Sequence, residues 1–141
     1  MARVLNDSIN PSIESHLGGT LSEHELKALS QFSTLVELPE GQRLATEGTV
    51  GQEAVVIVEG LASVMRNHEQ IAIASKGDFL GEMSLLFNTP RNATLVAETP
   101  VVLAVLSRRE FHSLMDACPR LEQLVEKEAA ARRAQVSSEA N

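Results

Sequence analysis

The sequence predicts a mainly β fold with flanking helices, an antiparallel sandwich or barrel. Three observations carry this. From Phe32 to Leu106, apolar runs of about five residues alternate with turn signals about ten residues apart, the rhythm of antiparallel strands. Glycines at 41, 48, 60, 77 and 81 cut the runs, where the backbone needs corners. Capping-box sequences, Ser22-Glu23-His24-Glu25 and Ser107-Arg108-Arg109-Glu110, bracket the β region and open a helix on either side of it. A length of 141 residues suffices for one domain, and the chain divides into a tail or linker over 1–20, a domain over 21–135 and a polar tail over 136–141.

Taken in order, residues 1–20 have little periodicity beyond a short helical stretch near Ile13–Leu17. Ser22 starts a helix to about Gln31, with Leu26, Leu29 and Ser30 on one face. Strands follow over Phe32–Leu38, Gln42–Thr46, Glu53–Val58 and Leu61–Met65. A turn at Arg66-Asn67-His68-Glu69 leads into Gln70–Ser75, which Lys76-Gly77-Asp78 ends. Glu82–Leu86 is a short helix-like run and Asn88-Thr89-Pro90 a loop. Ala93–Glu98 and Val101–Leu106 are strands split by Pro100. Ser107 starts a helix to about Ala117. Pro119, suited to a first helical turn, starts another that places Leu121, Leu124, Val125, Glu128 and Ala129 at amphipathic spacing.

Composition narrows the function. Twelve basic against 19 acidic residues give a net charge of −7, and aromatic residues make up 3 %. Nucleic-acid binding draws on a basic face and on aromatic platforms, so direct binding of DNA or RNA is not expected. No apolar run approaches the ~20 residues that cross a bilayer, and the amino terminus lacks a signal-peptide apolar stretch. The single cysteine, Cys118, excludes an intrachain disulfide framework. Together these point to the cytoplasm. His16, His24, His68 and His112 are scattered and read as solvated, so no metal is expected. Met65, Met83 and Met115 read as packing, and Arg108-Arg109 and Arg132-Arg133 as helix-face charges.

The segment Gly77–Thr94, GDFLGEMSLLFNTPRNAT, carries the chemistry. A short helix entered through Gly81 leaves the amides of Met83 and Ser84 without intrahelical partners, at an end attractive to anions. Arg91 follows with a guanidinium that grips a phosphate through two parallel hydrogen bonds. Glu82 would repel a phosphate placed directly on it, which leaves a sugar hydroxyl, one group further along, as its natural partner. No serine here has a neighbouring base and no second carboxylate poises a general acid, so the chain reads as a non-enzyme.

These residues resemble the phosphate-binding cassette of cyclic-nucleotide-binding domains, without a gap between Gly81 and Arg91. Gly41, Glu47-Gly48, Gly51 and Gly60 fall where that family places its β-roll glycines, and the resemblance spans about Leu21 to Arg133. It implies an antiparallel, jelly-roll-like β-roll of about eight strands, with an N-terminal helix, a short cassette helix and two C-terminal lid helices. It also implies roles. Arg91 pairs with the cyclic phosphate, helped by the amides of Met83, Ser84, Asn92 and Ala93. Glu82 and the Gly81 backbone hold the ribose 2′-hydroxyl. Val64, Ile71 and Leu80 form apolar walls, and the helix from about Leu121 to Arg133 finishes the base edge.

The expected function is a sensor module for a cyclic nucleotide, which is a ligand rather than a cofactor. Cyclic AMP is favoured because the Thr associated with cGMP is absent at position 92, although Asn92 can donate or accept and leaves cGMP open. The alternative is a degenerate cassette acting as a ligand-free protein-interaction domain; such losses usually strike the Glu or the Arg, and Glu82 and Arg91 are both present. The expected partners are an effector domain or protein, or a second copy paired through the C-terminal helix.

Overall fold

The structure, a computed structural model, describes residues 3–5, 21–81, 85, 89–127 and 130. Among the described residues the elements are, in chain order, β1 (Arg3–Leu5), α1 (Glu23–Phe32), β2 (Thr34–Leu38), β3 (Arg43–Ala45), β4 (Glu53–Glu59), β5 (Ala62–Arg66), β6 (Glu69–Ala74), β7 (Phe79–Leu80), β8 (Thr94–Ala97), β9 (Val101–Ser107) and α2 (Arg108–Ala117). A third helix, α3, covers residues 119–127. The strands form two antiparallel sheets, one ordered β1-β2-β9-β4-β7 and the other β3-β8-β5-β6.

The two longest strands explain why the layers stack as they do. β4 reads EAVVIVE and β9 reads VVLAVLS, nearly unbroken apolar runs, as expected of strands covered on both faces. Along β4, Ala54, Val56 and Val58 join a cluster with Leu29 of α1, Phe111 and Leu114 of α2, and Leu121 and Val125 of α3. Ile57 of β4 and Val101 and Leu103 of β9 point the other way. They meet Ala62, Ala74, Leu95 and Ala97 of the second sheet in a cluster inside the roll. Period-two alternation thus gives one sheet two jobs: it walls the roll and seats the helices.

Local signals place the joints. Ser22 and Ser107 each accept from the amide three residues on, while Glu25 and Glu110 reach back to the cap amides, so both capping boxes form as the spacing predicts. The β5–β6 hairpin turns on Asn67 (φ 52°) and His68 (φ 68°), the two positive values a type I′ turn needs. At Gly60 (φ +93°), a β-carbon would run into the Pro100 carbonyl and lie 2.9 Å from Val101 Cγ1, so the corner after β4 requires glycine.

Differences from the sequence reading have physical causes. Arg3–Leu5, inside the stretch read as tail or linker, adds an edge strand to β2, with Val4 opposite Val36. That pairing is non-local and leaves no signal in the segment itself. β7 is only two residues long, between Asp78 and Gly81, too short for periodicity to show. The stretch Ile13–Leu17 lies outside the described residues, and of the Glu82–Leu86 run only Leu85 is described, as helical and buried.

The helices lock to one another at a buried carboxylate. Glu25 is 3 % exposed, and Arg120, in the first turn of α3, donates to it from Nε at 3.0 Å and from Nη2. His24 Nε2 bonds the Ala117 carbonyl at 2.9 Å, so α1 holds the α2–α3 junction at two points. Burial alone would push the Glu25 carboxyl up, but the bonds and charge of Arg120 and the bonds from Ser22 outweigh it and hold it below the ordinary glutamate value. Burial pushes the neighbouring Cys118 thiol up, and the Glu25 charge adds to this.

A group with a depressed folded-state pKa stabilises above its unfolded value, and that contribution fades as pH falls through the folded value. Glu25→Gln is therefore expected to cost about 1.5–3 kcal/mol near neutral pH, the worth of a hydrogen bond to a charged group. The gap between variant and wild type should narrow in acid. Urea unfolding of both at about pH 7 and about pH 3 checks this; a gap independent of pH would refute the assignment.

Candidate functional site

The site forms where β7 ends beside the start of β4. β7 pairs with β4 through Leu80 opposite Val55 and Phe79 opposite Val56, which carries the chain to Gly81 next to Glu53. The preceding turn is set by Asp78, whose carboxylate accepts from the Ser75 amide at 2.8 Å. Gly77 then donates to the Ile57 carbonyl at 2.8 Å. These bonds fix the direction in which the chain leaves the sheet.

Arg91 arrives from the other side and is held through its backbone and its side chain. Its amide donates to the Thr49 carbonyl at 2.7 Å and its carbonyl accepts from Gly48 at 2.8 Å, a short antiparallel pairing that Val50 and Pro90 extend. Its Nη2 donates to the Glu53 carbonyl at 2.9 Å. The guanidinium lies against Gly81, where φ is +82° and a β-carbon would collide with Nη1 and lie 3.0 Å from the Glu53 carbonyl. Glycine is needed at 81 twice over, for its backbone angle and for the space the arginine takes.

The neighbours are equally well placed. Arg66 Nε donates to the Asn92 carbonyl at 3.1 Å. Ala93 is buried, and Thr94 Oγ1 accepts from the Glu47 amide at 3.0 Å. Glu47 in turn accepts from the Asn67 amide at 3.2 Å, tying the β5–β6 turn to the same region.

Of the residues singled out from the sequence, Gly81 and Arg91 are brought into contact, and Asn92 and Ala93 follow directly. Leu80 is buried within the inner cluster, and Val64 packs against that cluster. Ile71 is 46 % exposed and has no Cα partner between the Val64–Ala72 and Met65–Gln70 pairs, a bulge in β6. Glu82, Met83 and Ser84 lie outside the described residues. Among the described residues no group of His, Cys, Asp and Glu is placed to hold a metal, and no helix is long and apolar enough to cross a membrane.

Sequence reading passed over one residue. Arg109 is exposed, as a helix-face charge should be, but Arg108 is half-buried. Its Nη1 donates to the Leu85 carbonyl at 3.2 Å and its Nη2 to the Gly51 carbonyl at 3.3 Å. The signal was available: a cation at the first position of a helix opposes the helix dipole.

Comparison with known proteins places this geometry. Residues 35–118 match the family model described as the cyclic nucleotide-binding domain. The chain is similar to the Thermus thermophilus Catabolite Activator Protein, with 26 % identity and a TM-score of 0.74, over 88 % of this chain and 60 % of that one. This chain therefore spans less than two thirds of the Thermus protein. It is also similar to a cyclic nucleotide-binding domain from Methylobacillus flagellatus, with 27 % identity and a TM-score of 0.71, over 99 % of this chain and 86 % of that one. The regulatory domain of Toxoplasma gondii PKA, solved with cAMP, shares the fold at 23 % identity and a TM-score of 0.68, over 89 % of this chain and 49 % of that one.

Glycine-to-alanine exchanges separate the two demands on Gly81. Gly41 has a similar φ of +86°, and a β-carbon there would meet nothing within 4 Å. Both Gly41→Ala and Gly81→Ala are expected to lose about 1–2 kcal/mol to the left-handed backbone. Only Gly81→Ala should move the Arg91 side-chain resonances in a nitrogen-15 NMR spectrum. Unmoved resonances would contradict the packing described here.

Proposed function

We propose, for a chain that belongs to the cyclic nucleotide-binding domain family, that it is a sensor module whose roll takes cAMP and whose α3 helix responds to it. The observation that carries this reading is the Arg91 guanidinium. It is held at the Glu53 carbonyl and against Gly81, where the cassette begins, in a protein whose net charge of −7 would otherwise repel an anion. A planar fork fixed at a chosen place meets a phosphate without first being ordered, so less of the interaction is lost to entropy.

In this reading the cyclic phosphate sits on Arg91, with amides of Met83, Ser84, Asn92 and Ala93 around it. Glu82 and the Gly81 backbone hold the ribose 2′-hydroxyl, and Val64, Ile71 and Leu80 face the sugar and base. Ile71, exposed on β6, is the wall residue with the most surface for a ligand to cover. Cyclic AMP is preferred to cGMP because position 92 is Asn rather than Thr. Closure of α3 is a population shift, limited by the ligand's differential affinity for the closed form. The cellular setting we favour is the cytoplasm, with an effector domain or protein reading the movement of the helices.

A thermal-shift panel of cAMP, cGMP, AMP and 2′-deoxy-cAMP tests the ligand class. A site filled at about a hundred times its dissociation constant gains about 2.7 kcal/mol, a clear rise in melting temperature. The rise is expected for cAMP and should be smaller for the 2′-deoxy analogue. No rise with either cyclic nucleotide would favour the ligand-free interaction domain instead.

Calorimetry tests the residue. Arg91→Ala should lose roughly 3–5 kcal/mol of binding, more than about a hundredfold in affinity, because a buried phosphate charge is left unpaired. Glu82→Ala should lose about 1.5–3 kcal/mol. Wild-type affinity in Arg91→Ala would remove the phosphate assignment.

A further inference from the structure

We propose that Arg108 is a positioning residue for the nucleotide site, fastening the cassette and the segment beneath Arg91 to the first turn of α2. This deepens the function proposed above and rests on it. One guanidinium spans two separate stretches of chain, donating to the Leu85 carbonyl in the cassette and to the Gly51 carbonyl in the loop before β4. The backbone amide of the same residue donates to the Gln52 carbonyl at 3.0 Å.

Three features argue that this grip serves the site rather than the helix. First, α2 needs no help to start, since Ser107 and Glu110 already complete its capping box. A cation at its first position works against the dipole, and residues that break a local rule gather where function asks for them. Second, Arg108 and Arg91 stand on one short stretch. Thr49 and Glu53 supply the carbonyls that hold Arg91, and Gly51 and Gln52, between them, supply those that hold Arg108. A shift of that stretch reaches both arginines. Third, the Leu85 side chain is buried in the cluster that includes Phe111, Leu114 and Met115 of α2. Apolar packing is non-directional, so it keeps Leu85 close to α2 without setting its orientation. The bond to its carbonyl does set it. Lysine cannot reproduce the arrangement fully, because an ammonium is a point donor and the two carbonyls here take separate nitrogens of one planar fork.

The test uses the full chain, with Arg108→Gln, Arg108→Lys and, as a surface control, Arg109→Gln. Hydrogen exchange of the ligand-free proteins is read first, then cAMP affinity by calorimetry. Arg108→Gln is expected to raise exchange several-fold in peptides containing Leu85 and Gly51 while leaving the β2 peptide unchanged. It should weaken cAMP binding about tenfold, equivalent to about 1.4 kcal/mol. Arg108→Lys should recover part of both effects, and it carries the test if Arg108→Gln fails to fold. Arg109→Gln should change neither. Unaltered exchange at Leu85 and Gly51, or unaltered affinity, in the Arg108 variants would overturn the proposal. Absence of any cyclic-nucleotide binding by the wild type would instead remove the function it rests on, and exchange would still decide whether Arg108 holds Leu85.

Discussion

The site depends on the hydrogen bond from Arg91 to the carbonyl of Glu53. A flexible cationic side chain at the surface of an acidic protein would ordinarily wander among the nearest carboxylates, for little net stabilisation. Here its backbone is paired to Gly48 and Thr49, its guanidinium donates to Glu53, and glycine at 81 leaves room for it. Backbone carbonyls are the right partners for this purpose. The direction of such a carbonyl is fixed by the strand that carries it, so it holds the guanidinium in one orientation.

That arrangement constrains the rest of the fold. Segment 48–53 can support Arg91 only if β4 is rigid, and β4 is rigid because apolar residues cover both its faces. The same strand that positions Glu53 therefore seats the helices. Glu25, buried and paired with Arg120, joins α1 to the start of α3. Arg108, bonded to the Leu85 and Gly51 carbonyls, adds a second tie between the helices and the strands.

Much of this was legible in the sequence where the signal is local. The two capping boxes, the Asn67-His68 turn and the apolar runs of β4 and β9 each announce themselves within a few residues, and each forms as read. Arg91 and Gly81 were legible as candidates from their residue types, and the structure brings the two into contact. Their support was not legible. The carbonyls of Thr49 and Glu53 hold Arg91, and a carbonyl leaves no trace in residue identity. β1 was hidden because its partner lies some thirty residues away, and β7 because two residues carry no period. Arg108 was visible but discounted, since charges at a helix surface are usually just solvated.

The most direct test of the account is a crystal structure of the chain grown with excess cAMP. It should show an oxygen of the cyclic phosphate within hydrogen-bonding distance of the Arg91 guanidinium, which still donates to the Glu53 carbonyl. A nucleotide bound with its phosphate away from Arg91, or a pocket that stays empty under those conditions, would contradict it.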